Sequence, residues 1–446
     1  MFLVRIKQLI KRTSCLYNVS LKVYHNLYHN AIIPTVVLVQ LAIFAFFLSK
    51  KILFGQTSQW SVMSAHKNLP LVVMLVFSDV HFDPRVERGA KALARNGYFV
   101  RVLYTDLFGS GPDRFPPDWG EQISLRSLPG YLVFFRAVMQ ERPLVYHCHD
   151  LSTCIIGLTA AAKNGAYCFC DFHEWISENV SWDFSQKRYI PHPLFKRQIY
   201  RVAERQVMKW ATEVITVCDS IAEALQFAYR TQRKIHVIRN IPPVENTYEK
   251  KDTDLRKMIG VDGEKFILLY QGGVGPSRYL EPIIKAMADV PNGIFIIRGP
   301  GISSYRKEYE KLAHSFGIRE RIFCLDPVPS NRVVIEAAGA DAGIWTLQNL
   351  CKNFRFALPN KIFEYLAAGL PVLVADYPEA RKLVDGYGVG LCFDPDSPKS
   401  IAEAINELIG NAELTRRCKE NIPRALNDNN VEKEWNKLIN IYEKIR

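Results

Sequence analysis

The sequence lacks the cysteine spacings that zinc sites and redox motifs use. Its ten cysteines are scattered from Cys15 to Cys418, and no CxxC pair occurs among them. Cys168 and Cys170 are too close together for an ordinary structural disulfide. A chain of 446 residues does not need a disulfide framework to hold a core. We therefore expect reduced thiols, no metal site, and a folded region that faces the cytosol.

Acidic residues are absent from the first part of the chain. The first one is Asp79, and the basic residues before it are Arg5, Lys7, Lys11, Arg12, Lys22, Lys50, Lys51 and Lys67. The whole chain carries a net charge of +12, so most of the excess lies in this arm. Nucleic-acid binding would need the basic residues spread over a folded face. A basic arm beside an apolar run favours contact with an anionic membrane surface.

Heptads, a collagen period and solenoid repeats are also missing. Disorder is excluded as the main state, because 48% of the residues are apolar and only 23% are charged. The length allows two to four domains.

An uncharged run at 31–48 is just long enough to be a transmembrane candidate. Pro34 and Gln40 weaken it, and lysines follow it directly. A full span, a re-entrant or interfacial helix and a buried core helix all stay open. We assign residues 1–66 to a basic arm with a membrane-associated helix at 31–48, and we expect the membrane to hold the folded part on its cytosolic side (the inner or plasma membrane in a bacterium).

From position 69 onward, short apolar runs alternate with helical patterns. Continuous apolar strands separated by helices predict a parallel sheet covered on both faces. The pattern restarts after a Pro-rich linker at 239–243. We therefore expect an α/β chain with two doubly wound, Rossmann-like units, at 67–240 and 241–425. A final helix within 426–446, with an apolar stripe, is expected to cross back to the first unit.

The strongest motif is PNKIFEYLAAGLPVLVAD at 359–376. Pro359 precedes a helix, Glu364 lies early in it, and Gly369 ends it. A carboxylate there suits both hydroxyls of a ribose. It also suits the helix dipole alone, and composition does not separate the two interpretations.

This segment resembles the nucleotide-sugar signature of GT-B glycosyltransferases, closest to the large retaining family 4. The resemblance covers about 69–446. It implies a GT-B fold with two units facing a cleft, a nucleotide-sugar in the second unit, an acceptor in the first, and no metal or cofactor. Glu364 would hold the donor ribose. The family has a second Glu eight positions earlier, where this chain has Phe356, so a covalent nucleophile at that position is excluded.

A glycine-rich loop, YQGGVGPSR, follows a strand at 266–270. Gly272 and Gly273 permit close backbone approach, and Arg278 can neutralise a diphosphate. Arg278 resembles the family's diphosphate contact, and a plain tight turn is the alternative. Arg298 begins a second loop of the family's type. The expected donor contacts are completed by Asn360 and Lys361.

Two histidine-acid motifs follow neighbouring strands of the first unit. HCHD ends with His149 and Asp150, and DFHEW contains His173 and Glu174. A lone histidine is more often structural, but two such motifs at one sheet edge favour a reacting centre. By the family resemblance, His149 and His173 are the candidates, with Asp150 or Glu174 orienting an imidazole.

The first strand leads into SDVHFDPRVERGAKAL at 78–93. Asp83, Arg85 and Arg88 lie at the helix start, where cations oppose the helix dipole. This favours an acceptor with an anionic group, such as a lipid-linked phosphate, and a surface helix start is the alternative. Farther on, Arg197, Arg201 and Arg205 share a helix face that suits either a membrane or solvent.

These observations predict a membrane-associated, metal-independent retaining glycosyltransferase. It would move a sugar from a UDP- or GDP-linked donor to a saccharide acceptor, expected to be lipid-linked, in surface polysaccharide or glycan assembly. A nucleotide-sugar 2-epimerase and a degenerate membrane scaffold of the same fold are the alternatives.

Overall fold

The computed structural model describes residues 37, 38, 40, 42, 69–76, 83–104, 121–124, 130–183, 186, 188–243, 255–261 and 265–446. The chain divides into two compact units. One contains residues up to 215 together with 226–236, and the other contains 216–225 together with 237–446.

The first sheet has seven strands in the order β3-β2-β1-β4-β5-β8-β9. They are β1 Leu71–Val76, β2 Phe99–Tyr104, β3 Glu121–Ser124, β4 Val145–His149, β5 Tyr167–Phe172, β8 Glu213–Thr216 and β9 Ile235–Val237. A separate antiparallel hairpin consists of β6 Val180–Asp183 and β7 Arg188–Pro191. The accompanying helices are Pro84–Arg95, Gly130–Gln140, Leu151–Asn164, Leu194–Trp210 and Asp219–Tyr229.

The second sheet has six parallel strands in the order β12-β11-β10-β13-β14-β15. They are β10 Phe266–Gln271, β11 Gly293–Arg298, β12 Ile322–Leu325, β13 Ala342–Trp345, β14 Val372–Ala375 and β15 Gly390–Phe393. The helices around it are Leu255–Ile259, Glu281–Ala286, Ile302–Ser315, Val333–Ala337, Lys352–Arg355, Asn360–Ala367, Pro378–Tyr387, Pro398–Gly410, Ala412–Asp428 and Val431–Tyr442.

The predicted tandem α/β organisation is confirmed. Each sheet places its central strands in the core, and β1 and β11 are buried along their whole length. The continuous apolar runs predicted these strands, because a strand that is covered on both faces needs no polar positions. The hairpin β6–β7 was not predicted. Its second strand lies just before the helix that carries Arg197, Arg201 and Arg205. That helix begins only at Leu194, because Pro193 disfavours helical backbone in the residue before it.

The predicted stripe on the last helix is confirmed, since Trp435, Leu438, Ile439 and Tyr442 are all buried. That helix belongs to the second unit, where Glu434 accepts a hydrogen bond from the backbone of Arg239 at 2.8 Å. Its expected crossing to the first unit stays a prediction, as does the cleft between the units.

The predicted membrane segment 31–48 lies almost wholly outside the described residues. Of it, Val37, Leu38, Gln40 and Ala42 are described, and all four are helical. Gln40 is buried and its amide donates to the carbonyl of Ser152 at 3.2 Å. Within the ranges given above, no helix has both the length and the apolar character needed to cross a membrane.

Candidate active site

The carboxyl ends of β4 and β5 bring the two histidine-acid motifs together. The strands are parallel neighbours, and His149 is paired in register with Asp171. His149 Nδ1 lies 3.0 Å from His173 Nε2 and 3.8 Å from an Asp171 carboxylate oxygen. The convergence expected of His149 and His173 is therefore present in the structure.

Asp171 is held by Arg85 in a buried, two-point ion pair. Arg85 Nε donates to one carboxylate oxygen at 2.9 Å and its Nη2 donates to the other at 2.8 Å. Burial would raise the pKa of the Asp171 carboxyl, but the Arg85 guanidinium and the nearby His147 and His173 hold it well below its usual value. Asp171 is therefore a permanent anion under the histidines.

This ion pair changes the expectation for the helix start at 83–88. Arg85 is only 1% exposed and its guanidinium is bonded to Asp171, so its side chain points into the unit and not to solvent. Arg88 donates to the carbonyl of Pro84 at 2.8 Å. Asp83 caps the helix by accepting from the backbone of Arg85 and Val86. The predicted acceptor contacts of Arg85, Arg88 and Asp83 stay predictions.

His149 is a neutral imidazole. Burial lowers its pKa well below the usual value, and His147, stacked on it at 4.7 Å, and His173 lower it further. Its Nε2 is buried and has no hydrogen-bond partner among the described residues. A buried N–H without a partner is rarer in proteins than an unused acceptor, so we assign the proton to Nδ1, which donates to His173 Nε2.

His173 is the exposed end of this chain of groups. Its ring is 17% exposed, and its Nδ1 lies 3.6 Å from Asp83 Oδ2 and 3.7 Å from Asp150 Oδ2. Those separations exceed hydrogen-bonding distance. Because Nε2 already accepts from His149, Nδ1 carries the proton and presents it between two carboxylates. That corner of the site can bind a hydroxyl group.

Asp150 lies in strained backbone between the two motifs. Its φ of 61° and ψ of 159° belong to a region that is almost exclusive to glycine. Its amide donates to the Asp171 carbonyl at 2.9 Å, and its carboxylate accepts from the backbone of His173 at 3.2 Å. These bonds keep the strained conformation in place.

Glu174 does not join this group. It is exposed, and it accepts a hydrogen bond from the Asn179 side chain. His147, Asp171 and the Arg85 contact were missed by sequence reasoning, although the HxH spacing places His147 and His149 on one face of β4. His147, His149 and Asp171 also have ligand atoms within 4.8 Å of one another. Arg85 occupies both Asp171 oxygens and places a positive charge there, which opposes a cation.

In the second unit, two loops pack backbone against backbone at the end of β10. Gly272 has a φ of 144° and donates from its amide to the Arg298 carbonyl. A Cβ at Gly299 would lie 1.9 Å from the Gly272 oxygen, and one at Gly272 would lie 1.9 Å from the Lys361 side chain. The backbone contact requires glycine at position 299, the positive φ favours it at 272, and Lys361 lies over the glycine loop.

Lys361, Arg278 and Glu364 form an electrostatic group at this edge. Burial, and after it the positive charge of Arg278, lowers the pKa of Lys361 to about 8, although Glu364 opposes the shift. Two cations with a carboxylate suit a ligand that carries both phosphate and hydroxyl groups.

The other predicted donor contacts differ in their surroundings. Gly273 has open space where a side chain would be, and Asn360 begins the helix that carries Glu364. Arg298 is 1% exposed and is bonded to Glu336 at 3.3 Å, so its guanidinium lies inside the unit. Phe356 ends the short helix Lys352–Arg355.

Two family models match this chain in tandem. Glycosyltransferase Family 4 matches residues 85–242, and Glycosyl transferases group 1 matches residues 251–425. The chain belongs to the group 1 glycosyltransferases. The first match contains the Arg85, His149 and His173 group, and the second contains the Lys361 group.

Relatives of this glycosyltransferase span most of its length. An uncharacterised glycosyltransferase of Methanocaldococcus jannaschii is 24% identical over 81% of this chain and 96% of its own. A putative teichuronic acid biosynthesis glycosyltransferase, TuaH of Bacillus subtilis, is 23% identical over 66% of this chain and 75% of its own.

Solved structures show the same fold. HepE of Anabaena, in complex with UDP, superposes with a TM-score of 0.67 at 19% identity, over 84% of this chain and 99% of that one. Sucrose-phosphate synthase from Thermosynechococcus elongatus gives 0.66 at 16% identity, over 84% and 99%. The GT-B fold predicted from the sequence is thereby confirmed.

We predict that the protein is more stable with glycine than with alanine at position 150, and that this difference is larger than at an ordinary helix N-cap. Asp150→Gly and Asp150→Ala both lose the carboxylate, but only alanine keeps the strain, which costs about 1–3 kcal/mol. Ser397 is the matched control, because it also precedes a helix but has an ordinary φ of −112°. Urea unfolding should show that the stability gap between the Gly and Ala variants is larger at 150 than at 397 by that amount. Equal gaps would mean that Asp150 carries no strain.

Proposed function

We propose that this glycosyltransferase transfers a sugar from a UDP- or GDP-linked donor to a lipid-linked saccharide at a membrane surface, with retention at the anomeric carbon. The observation that carries the donor assignment is the group formed by Lys361, Arg278 and Glu364 beside the glycine loop. The HepE structures hold UDP or UDP-glucose, which supports a nucleotide-sugar donor of the uridine class.

Each member of the group has a distinct task in the proposal. Glu364 accepts the ribose hydroxyls, while Arg278 and Lys361 neutralise the diphosphate. As the bond between the anomeric carbon and the diphosphate oxygen breaks, the nucleoside diphosphate leaves with the electron pair. The two cations stabilise the charge that develops there, without a metal ion.

Retention is proposed from the resemblance to the retaining family 4, and the residue at position 356 indicates by which route it would occur. Phe356 offers no carboxylate, so attack by an enzyme nucleophile from that position is excluded. The acceptor hydroxyl then attacks on the face from which the diphosphate leaves, and its proton passes to the departing phosphate oxygen. In the first unit, His173 donates a hydrogen bond from Nδ1 to a substrate hydroxyl, with Asp83 and Asp150 beside it.

Membrane association is proposed from the outer face of the helix Leu194–Trp210. Leu194 is 76% exposed and Phe195 is 63% exposed, and Trp210 at the other end is 42% exposed. Exposed Arg205 and Lys209 lie on the same outer face, with the Lys209 ammonium 4.9 Å from the Trp210 ring centre. Apolar side chains interleaved with cations are typical of a helix lying on an anionic bilayer. The basic arm at the start of the chain adds to this preference.

The arginines of this helix do not all contribute equally to its attraction for an anionic membrane. Arg197 and Arg201 both donate to the buried Glu178, whose carboxylate offsets one of their two charges. Arg205, the third of the predicted arginines, is exposed.

We predict that Glu364→Ala weakens donor binding, while His173→Ala spares binding and lowers turnover. UDP at 100 times its dissociation constant should stabilise the wild-type protein by about 2.7 kcal/mol. Thermal unfolding of the wild type and of Glu364→Ala, each with UDP, GDP, ADP and CMP, measures this stabilisation.

His173→Ala should keep the thermal shift with UDP and lose about 10²-fold in release of UDP from UDP-glucose, because one hydrogen bond to the reacting groups is gone.

The control for Glu364 is Glu403→Ala, which removes a carboxylate that is 65% exposed on another helix. An unchanged UDP shift in Glu364→Ala would contradict the donor assignment. Normal turnover in His173→Ala would remove that histidine from the reaction.

We predict that UDP affinity falls as the pH rises through about 8. The free enzyme's Lys361 has its pKa lowered to about 8, so its ammonium is present below that pH and must be regained for binding above it. The dissociation constant should then rise by up to about tenfold per pH unit. Isothermal titration between pH 7 and 9.5 measures this. Lys361→Arg should give a flat profile, because an arginine stays charged throughout. A flat wild-type profile would exclude Lys361 as the phosphate contact.

We predict that Leu194→Ser with Phe195→Ser lowers binding to vesicles that contain anionic lipid. Each side chain loses an apolar surface that would enter the bilayer, at roughly 25 cal/mol per Å². Co-sedimentation with vesicles of phosphatidylglycerol and phosphatidylcholine should show at least a tenfold weaker affinity. Phe316→Ser removes a 44% exposed aromatic ring from the second unit and serves as the control. Equal binding by both variants would contradict the proposed surface.

A further inference from the structure

Three cysteine sulfurs converge on the face of the first sheet opposite to the histidines. Side chains alternate along a strand, so Cys148 on β4 points away from His147 and His149. Cys148 is paired in register with Cys170 on β5, and Cys168 lies two residues before it on the same face. All three side chains are buried. Together with Cys154 they are called the thiol cluster below.

The separations of the sulfurs match a metal-thiolate site. Cys148 Sγ lies 3.8 Å from Cys168 Sγ, which lies 3.9 Å from Cys170 Sγ, and all three are within 4.8 Å of one another. A tetrahedral zinc site with Zn–S bonds of about 2.3 Å has sulfurs about 3.8 Å apart. Two of the three separations are therefore at the zinc-thiolate spacing, and the third is within 4.8 Å.

A fourth thiol borders the cluster. Cys154 lies in the first turn of the helix Leu151–Asn164 and is fully buried. Its sulfur donates to the Asp150 carbonyl at 3.2 Å and lies 4.0 Å from the Cys148 carbonyl. Its sulfur lies outside the group of three that are all within 4.8 Å of one another, so a rotation of the Cys154 side chain would have to bring it to the ion.

The helix leaves room for these sulfurs. A Cβ at Gly157 would lie 2.1 Å from Cys148 Sγ and 3.4 Å from Cys168 Sγ. A glycine inside a helix costs about 1 kcal/mol relative to alanine, so its presence here has a packing reason. Glycine at position 157 therefore lets the helix backbone pack directly against the sulfur of Cys148.

We propose that Cys148, Cys168 and Cys170, with Cys154 as the fourth ligand, form a buried site for a thiophilic metal ion, with Zn²⁺ as its occupant. An all-sulfur ligand set selects zinc and its softer analogues over magnesium or calcium. Disulfide formation does not explain the cluster, because its sulfurs are far beyond the bonding distance of about 2.05 Å. The ion would displace the thiol protons and join β4, β5 and the helix behind the edge that carries His149, Asp150 and Asp171.

The test begins with the full-length protein and needs no variant. Protein isolated from zinc-supplemented cells should contain about one zinc per chain by mass spectrometry of the elements. After removal of the metal, titration with Cd²⁺ should produce the ultraviolet charge-transfer band of cadmium thiolate, saturating near one equivalent. Zinc below about a tenth of an equivalent, with no cadmium band, would overturn the proposal and leave the cluster as packed thiols.

Single substitutions then locate the ion. Cys168→Ser and Cys170→Ser should each reduce the bound zinc at least fivefold and weaken the cadmium band. Cys324→Ser is the control, since Cys324 is a buried cysteine of the second unit that belongs to no described group of metal-ligating side chains. Zinc that stays at one equivalent in both cluster variants would place the ion elsewhere and overturn the assignment. Far-ultraviolet circular dichroism and the urea unfolding transition show whether each variant is folded.

Discussion

The buried ion pair between Arg85 and Asp171 is the interaction on which the polar edge of the first unit depends. Removing two charges from water costs several kcal/mol per ion, and only close, well-oriented hydrogen bonds offset that cost. The guanidinium meets both carboxylate oxygens, and each group is almost fully buried. The pair therefore joins the helix after β1 to the end of β5. Loss of either partner would leave the other charge buried and alone.

The geometry around His173 follows from that ion pair. Asp83, Pro84 and Arg85 are consecutive, so fixing Arg85 on Asp171 also fixes the helix cap formed by Asp83. Asp83 then lies beside His173 from one side, and Asp150, in its strained turn, lies beside it from the other. Strain of this kind persists only where surrounding bonds over-determine the backbone. The exposed histidine is thus positioned by groups that are themselves bonded to the core.

The fold and the helix that carries Glu364 could be predicted from the sequence, because both have local signals. Buried strands form continuous apolar runs, and the segment around Glu364 carries its helix start, carboxylate and helix end within 18 residues. The convergence of His149 with His173 followed from two similar motifs at strand ends. The sequence indicated Arg85 as a contact for an anionic acceptor and did not reveal Asp171, because this partner is 86 positions away and only the order of β1, β4 and β5 brings the two together. The thiol cluster could not be predicted from the sequence for the same reason, because the spacing of its cysteines along the chain matches no zinc motif.

The two units make their functional edges rigid by different physical means. In the second unit, Gly272 and Gly299 bring two loop backbones into direct contact, and a single added methyl group would separate them. In the first unit, β4 and β5 carry charged and imidazole groups on one face and thiols on the other. The four residues from Cys168 to Asp171 therefore contribute to both faces of the sheet. Polar groups on a buried face need hydrogen bonds or ion pairs, as Asp171 has from Arg85. Sulfur on the opposite face requires none as a thiol, yet it can coordinate a metal ion. The alternation of a strand therefore allows β5 to carry Asp171 on one face and, on the other, thiols that need no polar partner.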